Sequence, residues 1–317
     1  MANEEHKELA KILKDIHAAL RKSATILGSE KAWTAHCANK DLLINYAKCM
    51  ERLATKHWDG NFENDCSSVT SRITWAVNIC RDYFIDKSYL RYQEKEKEIC
   101  RKINVTLKSK ECFSQTLKLI DVGSCYNPFR VYDLFDVFAI DLCPANSSVL
   151  ECDFINVPVG SNTAVSENRR VTQLQQCLFE VVTFCFFLEY LPSPKLRLKA
   201  CEKAYDILKP GGLLIISTPD SKHVGANSKI MKCWRYTLQC IGFIRIKYEK
   251  FKHMHCMAFR KSLNKDVAVR WANLHKEPYM EYTIGIPQDN IIIDEKNSLP
   301  RIEANLVDFK ELPFCIV

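Results

Sequence analysis

No apolar run in the 317-residue sequence approaches the roughly 20 residues that a membrane-spanning helix requires. The first residues, MANEEHKELAKILKDI, are charged and helically periodic, so no secretory leader is expected there. No C-x-x-C pair occurs among the 16 cysteines, which removes the usual signature of zinc ribbons and dithiol redox sites. Without a leader those cysteines are expected to be reduced thiols in the cytosol or nucleus. Cys315 stands one place too late for a prenylation box. Internal repeats are also lacking. What remains is 47% hydrophobic and 26% charged, an ordinary soluble globular composition with enough material for one large domain or two smaller ones. The net charge of +7 is compatible with RNA or an acidic protein surface, but most lysines and arginines simply solvate a face.

Up to about residue 110 the pattern is helical. Leu9, Ile12, Leu13, Ile16 and Leu20 recur at three- and four-residue steps, as one face of an amphipathic helix does. A second stripe runs through Leu42, Leu43, Tyr46, Cys49, Met50 and Leu53, and a third through Val69, Ile73, Trp75, Ala76, Ile79, Cys80 and Tyr83. The charged stretch from Tyr92 to Lys110 predicts an exposed connecting helix.

From Leu117 short apolar runs alternate with helical stretches, which implies parallel βαβ units. LKLIDV, DVFAIDL, VLECDF, FEVVTFCFF and LLIIST read as five buried strands. Helices are predicted over Pro194 to Leu208 and Ser228 to Ile241, and FIRIKYEKF with HMHCMAFRK predicts an antiparallel hairpin at the sheet edge. The polar stretch Gly160 to Gln176 is expected to form a loop with a short helix. Beyond about Leu263 there is little periodicity. The expected division is a helical domain over 1–112, a Rossmann-like domain over 113–262 and an irregular tail over 263–317.

The candidate site lies in the first three strands. Gly123 ends the first, and the lack of a Cβ lets backbone approach a ligand closely there. Asp141 ends the second, eighteen positions later, close to the spacing of roughly 20 at which a Rossmann-type site sets an acid on ribose hydroxyls. Asp153 and Phe154 close the third, where an acid and the next N–H can meet an adenine edge. A turn glycine and a helix-capping aspartate are the plain structural alternatives. Three such features in sheet order favour a nucleoside pocket.

DVGSCYNPF, IDLCPA, VLECDF, YLPSP, STPDS and FKHMHCMAFRK together resemble the SAMTOR family, S-adenosylmethionine sensors of the target-of-rapamycin pathway related to a yeast 25S ribosomal RNA adenine methyltransferase. The resemblance covers about Leu117 to Lys261 and is weaker in the helical third. It implies an α/β fold, a class I S-adenosylmethionine-dependent methyltransferase (Rossmann-like) seven-stranded sheet behind an all-helical N-terminal domain; that helical domain is the natural moving part and is expected to fold over the cleft. It further implies S-adenosyl-L-methionine as ligand, S-adenosylhomocysteine as competitor, and a site formed by Gly123, Ser124, Asp141, Leu142, Asp153, Phe154, Phe184 and Cys185. The partners it implies are the GATOR and KICSTOR complexes, bound when ligand is scarce and released when it is plentiful, in the cytoplasm at the lysosomal surface.

The sequence departs from ordinary methyltransferases. Their loop reads D-x-G-x-G-x-G, whereas a single glycine here is followed by Ser124, Cys125, Tyr126, Asn127 and Pro128, a stiffer segment. Adenine-N6 enzymes often carry N-P-P-Y or D-P-P-Y after the fourth strand, where this chain has Thr183-Phe184-Cys185-Phe186-Phe187 and nothing basic. Glu189 is expected at a solvent-facing helix start, and Arg72, a candidate for the ligand carboxylate, in a surface ion pair. No catalytic residue is identified. No metal site is expected at His253-Met254-His255-Cys256, and the basic run Arg235, Arg245, Lys247, Lys250 and Lys252 is expected to be a solvated edge, so nucleic acid is not the expected partner. The alternatives to a sensor are an active methyltransferase on RNA adenine or another acceptor, and a scaffold that binds no nucleoside.

Overall fold

The first amphipathic stripe folds as α1 (Glu4–Leu27), which buries Leu9, Leu13, Ile16 and Leu20. A short helix absent from the expected set, α2 (Ser29–Ala38), follows Gly28, whose φ of 85° turns the chain. The second stripe becomes α3 (Lys40–Leu53), started by Asn39, whose side chain accepts from the Leu42 N–H, and continued by a wide turn over Ala54–Asp59. Leu9 and Leu13 of α1 pack against Cys49 and Leu53 of α3. The third stripe is α4 (Arg72–Cys80), capped by the Ser71 hydroxyl and extended by a second wide turn, Arg81–Ile85. The computed structural model describes residues 4–59, 71–107, 109–220, 227–251 and 254–289, with the side chains of 57–59 excepted; Val69 of that stripe lies outside them.

The charged segment forms α5 (Tyr89–Lys102). It is not fully exposed as expected, because Glu96 and Cys100 are buried. Glu96 is drawn inward by the Arg260 guanidinium, 3.2 Å away, and by the backbone N–H groups of Leu263 and Asn264.

The apolar runs form β1 (Leu117–Val122), β2 (Phe135–Asp141) and a two-residue β3 (Leu150–Glu151). The polar stretch holds no helix; β4 (Val159–Gly160), β5 (Ala164–Val165) and β6 (Val171–Gln175) make a small separate sheet there. Strands β7 (Phe179–Cys185), β8 (Leu208–Pro219), β9 (Phe243–Phe251) and β10 (Met254–Lys261) complete the main sheet, ordered β3-β2-β1-β7-β8-β10-β9. β10 alone runs opposite to the other six strands, antiparallel to both β8 and β9. The predicted hairpin is therefore real, with its second strand inserted next to β8 and its first left at the edge.

Alternating side chains cover the two faces. Ile120, Val122, Val182, Phe184, Leu214 and Ile216 pack beneath α6 (Pro194–Ile207) and α7 (Ser228–Ile241), while Leu119, Val181, Leu213 and Ile215 pack beneath α4. α6 starts at Ser193, whose hydroxyl accepts from Leu196 N–H, with Pro194 in its first turn. Where irregular chain was expected, Lys265–Leu274 is a helix, α8: the Asn264 side chain accepts from Asp266 N–H at 2.9 Å, and Val267, Ala268 and Ala272 form a buried stripe. Ile284 and Ile286 then return to the core. Residues 290–317 of the expected tail lie outside those described. Among the described residues no helix is long and apolar enough to cross a membrane.

Candidate ligand-binding cleft

β1 has β2 on one side and β7 on the other, so chain connections leave in opposite directions beside it. In an open parallel sheet this switch point opens a crevice at the carboxyl ends of the strands. The backbone there is tightly held. The Gly123 and Ser124 N–H groups both donate to the Ile140 carbonyl, at 2.9 and 3.0 Å. Gly123 has φ 75°, and a Cβ on it would stand 3.1 Å from Phe187 Cδ2. Cys125 and Asn127 also have positive φ, 57° and 61°, before Pro128 starts a short 3₁₀ turn. This tight loop replaces the missing glycines with strained non-glycine residues.

Asp141 ties the loop to the end of β2. One carboxylate oxygen accepts from Cys125 N–H at 3.0 Å and the other from Cys143 N–H at 2.9 Å. Burial pushes its carboxyl up to about 6, and the two N–H donors partly oppose that rise. Asp121, one turn of the pleat before Gly123, is buried beside Thr183, from whose hydroxyl it accepts; burial raises its carboxyl too.

The resulting cleft holds about 1030 Å³ of space, the open solvent at its mouth included. Of the eight expected site residues, six line it: Gly123, Ser124, Asp141, Leu142, Phe154 and Cys185. Phe184 lies behind, fully buried, with its ring centroid 5.8 Å from that of Phe154 and 5.1 Å from that of Phe187. Asp153 is also behind the lining. Its carboxylate accepts from Trp33 Nε1 at 3.1 Å, from Ile155 N–H at 3.1 Å and from Asn156 Nδ2 at 2.8 Å, so it caps a turn and anchors α2.

Helices of the N-terminal region form the other wall. Leu43, Tyr46, Ala47 and Met50 of α3, Trp33 of α2, and Arg72 and Ile73 of α4 all line the cavity. Arg72, expected at the surface, instead sits with its guanidinium 5.4 Å from the Phe186 ring centroid. Tyr46 and Tyr190, neither of them expected, pack with centroids 4.9 Å apart. Tyr46 hydroxyl pairs with His17 Nε2 at 2.9 Å, and Tyr190 hydroxyl with His36 Nε2. Burial holds His17 down at about 3 and lowers His36, so both rings are neutral at pH 7. Only the pairing of Tyr46 with an apolar stripe hinted at this in sequence, because its partner lies 144 positions away.

Few lining groups can exchange a proton near neutrality. Burial raises the thiols of Cys125, Cys143 and Cys185, and pushes Cys152 up to about 12. The phenols of Tyr46 and Tyr190 are held well above their ordinary range. Glu189 is not at a helix start as expected. It occupies the turn before α6, half-buried, accepts from the Thr218 hydroxyl and does not line the cavity.

Among the described residues no group of three His, Cys, Asp or Glu side chains is arranged to hold a metal. His255 is engaged by Asp220 at 2.8 Å and by the Tyr248 hydroxyl at 2.8 Å; His253 and Lys252 lie outside the described residues.

A methyltransferase-domain family model matches residues 90–266. A zebrafish (Danio rerio) protein described as "S-adenosylmethionine sensor upstream of mTORC1" is 33% identical, over 97% of this chain and 82% of its own. A Xenopus tropicalis protein of the same description is 34% identical, over 81% and 70%. Among solved structures, the N-methyltransferase NodS from Bradyrhizobium japonicum in complex with S-adenosyl-L-homocysteine aligns with 53% of this chain and 86% of its own at 14% identity and TM-score 0.31. The [4+2]-cyclase SpnF aligns with 48% and 76% at 12% identity and TM-score 0.34.

Proposed function

The chain belongs to the family of S-adenosylmethionine sensors upstream of mTORC1, which carry a methyltransferase domain, and from that membership we propose that the cleft binds S-adenosylmethionine in order to report its abundance. The observation that carries the reading is the composition of the cleft. It joins a tight glycine turn, a carboxylate at the end of β2 and an aromatic floor to a wall of N-terminal helices, and its two carboxylates are already engaged, Asp141 by the Cys125 and Cys143 N–H groups and Asp121 by the Thr183 hydroxyl. In this reading Asp141 would accept from the ribose hydroxyls, Leu142, Phe154 and Ile155 would flank the adenine, and backbone at Gly123 and Ser124 would meet the amino-acid portion. Arg72 would face the ligand carboxylate, with Cys185 beside the methionine part. Phe184 and Asp153 support the floor and α2 rather than touching ligand.

The helical wall supplies the switch. A ligand moves an equilibrium only by binding its two states unequally; a 100-fold preference corresponds to about 2.7 kcal/mol. Ligand held between the sheet and α2–α4 would favour the closed arrangement of residues 1–112 on the Rossmann-like domain. GATOR and KICSTOR would then bind the less closed protein and be released by ligand, with S-adenosylhomocysteine competing at the same site and the complexes bringing the protein to the lysosomal surface.

Isothermal titration calorimetry tests the pocket. Wild-type protein should bind S-adenosylmethionine at one site, and Asp141→Ala should lose about 1.5–3 kcal/mol, roughly tenfold to 150-fold, because charged hydrogen bonds are removed. A folded Asp141→Ala protein with wild-type affinity overturns the assignment.

A further inference from the structure

A second cavity lies at the opposite end of the sheet, where β10 finishes beside the start of β8 (Arg260 is in register with Leu213). It runs between α5, the β9 edge and α8, and encloses about 1120 Å³ with its mouth. Ile99 of α5, Ile103 just past its end, and Trp271 and Leu274 of α8 make an apolar trough. Trp271 is 44% exposed and Leu274 62%, large apolar surfaces for residues in one groove. Lys95, Arg245 and Arg270 stand on its rim, and none of the three forms an ion pair among the described residues. Burial and the neighbouring Arg235 hold the Arg245 guanidinium below its usual range, so like charge is crowded there. The one carboxylate in the lining, Glu96, is already bound by Arg260 and two backbone N–H groups. At the floor Arg260 is fully buried, with its Nε–H lacking a protein acceptor.

We infer that this groove docks an acidic amphipathic peptide segment of a partner protein, its apolar side chains in the trough and its carboxylates against Lys95, Arg245 and Arg270. The charge pattern selects this occupant: a rim whose Lys95, Arg245 and Arg270 form no ion pair among the described residues calls for acids outside, and an apolar trough calls for apolar anchors inside. Single-stranded nucleic acid fits less well, since it stacks on open rings, whereas one face of Trp271 is covered by His275, centroids 4.0 Å apart. A lipid surface fits less well because the apolar residues line a recess rather than project. The inference does not depend on what the other cleft binds.

Panning a displayed library of random 12-residue peptides on the full chain tests this, followed by fluorescence anisotropy of the enriched peptides. Lys95→Glu/Arg270→Glu and Leu274→Ser alter only exposed side chains, and unchanged thermal melting of each verifies the fold. The enriched peptides should carry Asp or Glu around Leu, Ile or Phe. Double charge reversal should weaken them about tenfold or more, Leu274→Ser should weaken them severalfold, and added salt should act in the same direction. No enrichment, enrichment of non-acidic peptides, or equal binding by the variants overturns the proposal. Phosphatidylserine vesicles and a single-stranded RNA 20-mer complete the set; binding of either through these residues without peptide binding also overturns it.

Discussion

Because burial lifts the Asp141 carboxyl to about 6, ligand affinity should depend on pH between 5 and 7.5. In the folded protein without ligand, this group holds its proton more tightly than in the unfolded chain, where its value is near 3.8. Its contribution to stability is therefore fully present below about pH 4 and is lost as pH rises through 6, a difference of roughly 3 kcal/mol at neutral pH. Ribose hydroxyls donating to the ionised carboxylate would offset part of that cost, so ligand stabilises most where the group is charged. At pH 5 only about a tenth of the protein carries ionised Asp141, and affinity should be about tenfold below its plateau. Facing groups add little to this window: the Tyr46 and Tyr190 phenols and the Cys125 and Cys143 thiols stay protonated throughout. Asp121, whose carboxyl is also raised by burial, is controlled by Asp121→Asn. Calorimetry of S-adenosylmethionine binding from pH 5 to 7.5 should show the loss in wild type and a flat, weak profile in Asp141→Asn. A flat wild-type profile, or Asp141→Asn that keeps both affinity and slope, refutes the reasoning.

Gly123→Ala should weaken ligand binding and cost about 1–2 kcal/mol in denaturant unfolding, since alanine must hold φ 75° with its Cβ 3.1 Å from Phe187. Arg260→Met leaves Glu96 and Glu111 buried without their cation, and urea unfolding should show a loss of about 3–5 kcal/mol; adding Glu96→Gln and Glu111→Gln should restore part of it. Tyr190→Phe removes the hydroxyl paired with His36 and should lower stability by about 1–2 kcal/mol, read as a shifted urea midpoint at unchanged slope.

The strands that carry the site are legible because their apolar runs are nearly contiguous: β1, β7 and β8 bury both faces over most of their length and β2 does so toward its end, a pattern that survives without tertiary knowledge. The stripes of α1 and α3 were legible for the same reason, one face at a time. Two-residue strands such as β4 and β5 leave no periodic trace, so the residues of the small sheet suggest only a loop with a short helix. Asp153 shows the limit at the site. Motif order marks it as an acid facing an adenine edge, whereas its carboxylate accepts from Trp33, 120 residues earlier, and from its own turn. The placement of Arg72 against Phe186 and the pairing of Glu96 with Arg260 are likewise products of long-range packing, and no local pattern encodes them.

Equilibrium retention of purified GATOR and KICSTOR complexes on the immobilised chain, followed across an S-adenosylmethionine titration, tests the claim that the chain measures this ligand. Retention should fall as ligand rises, with a midpoint at the calorimetric Kd, and Asp141→Ala should remain bound at concentrations that release wild type. Retention independent of S-adenosylmethionine, with the ligand shown to occupy its site, would contradict the claim.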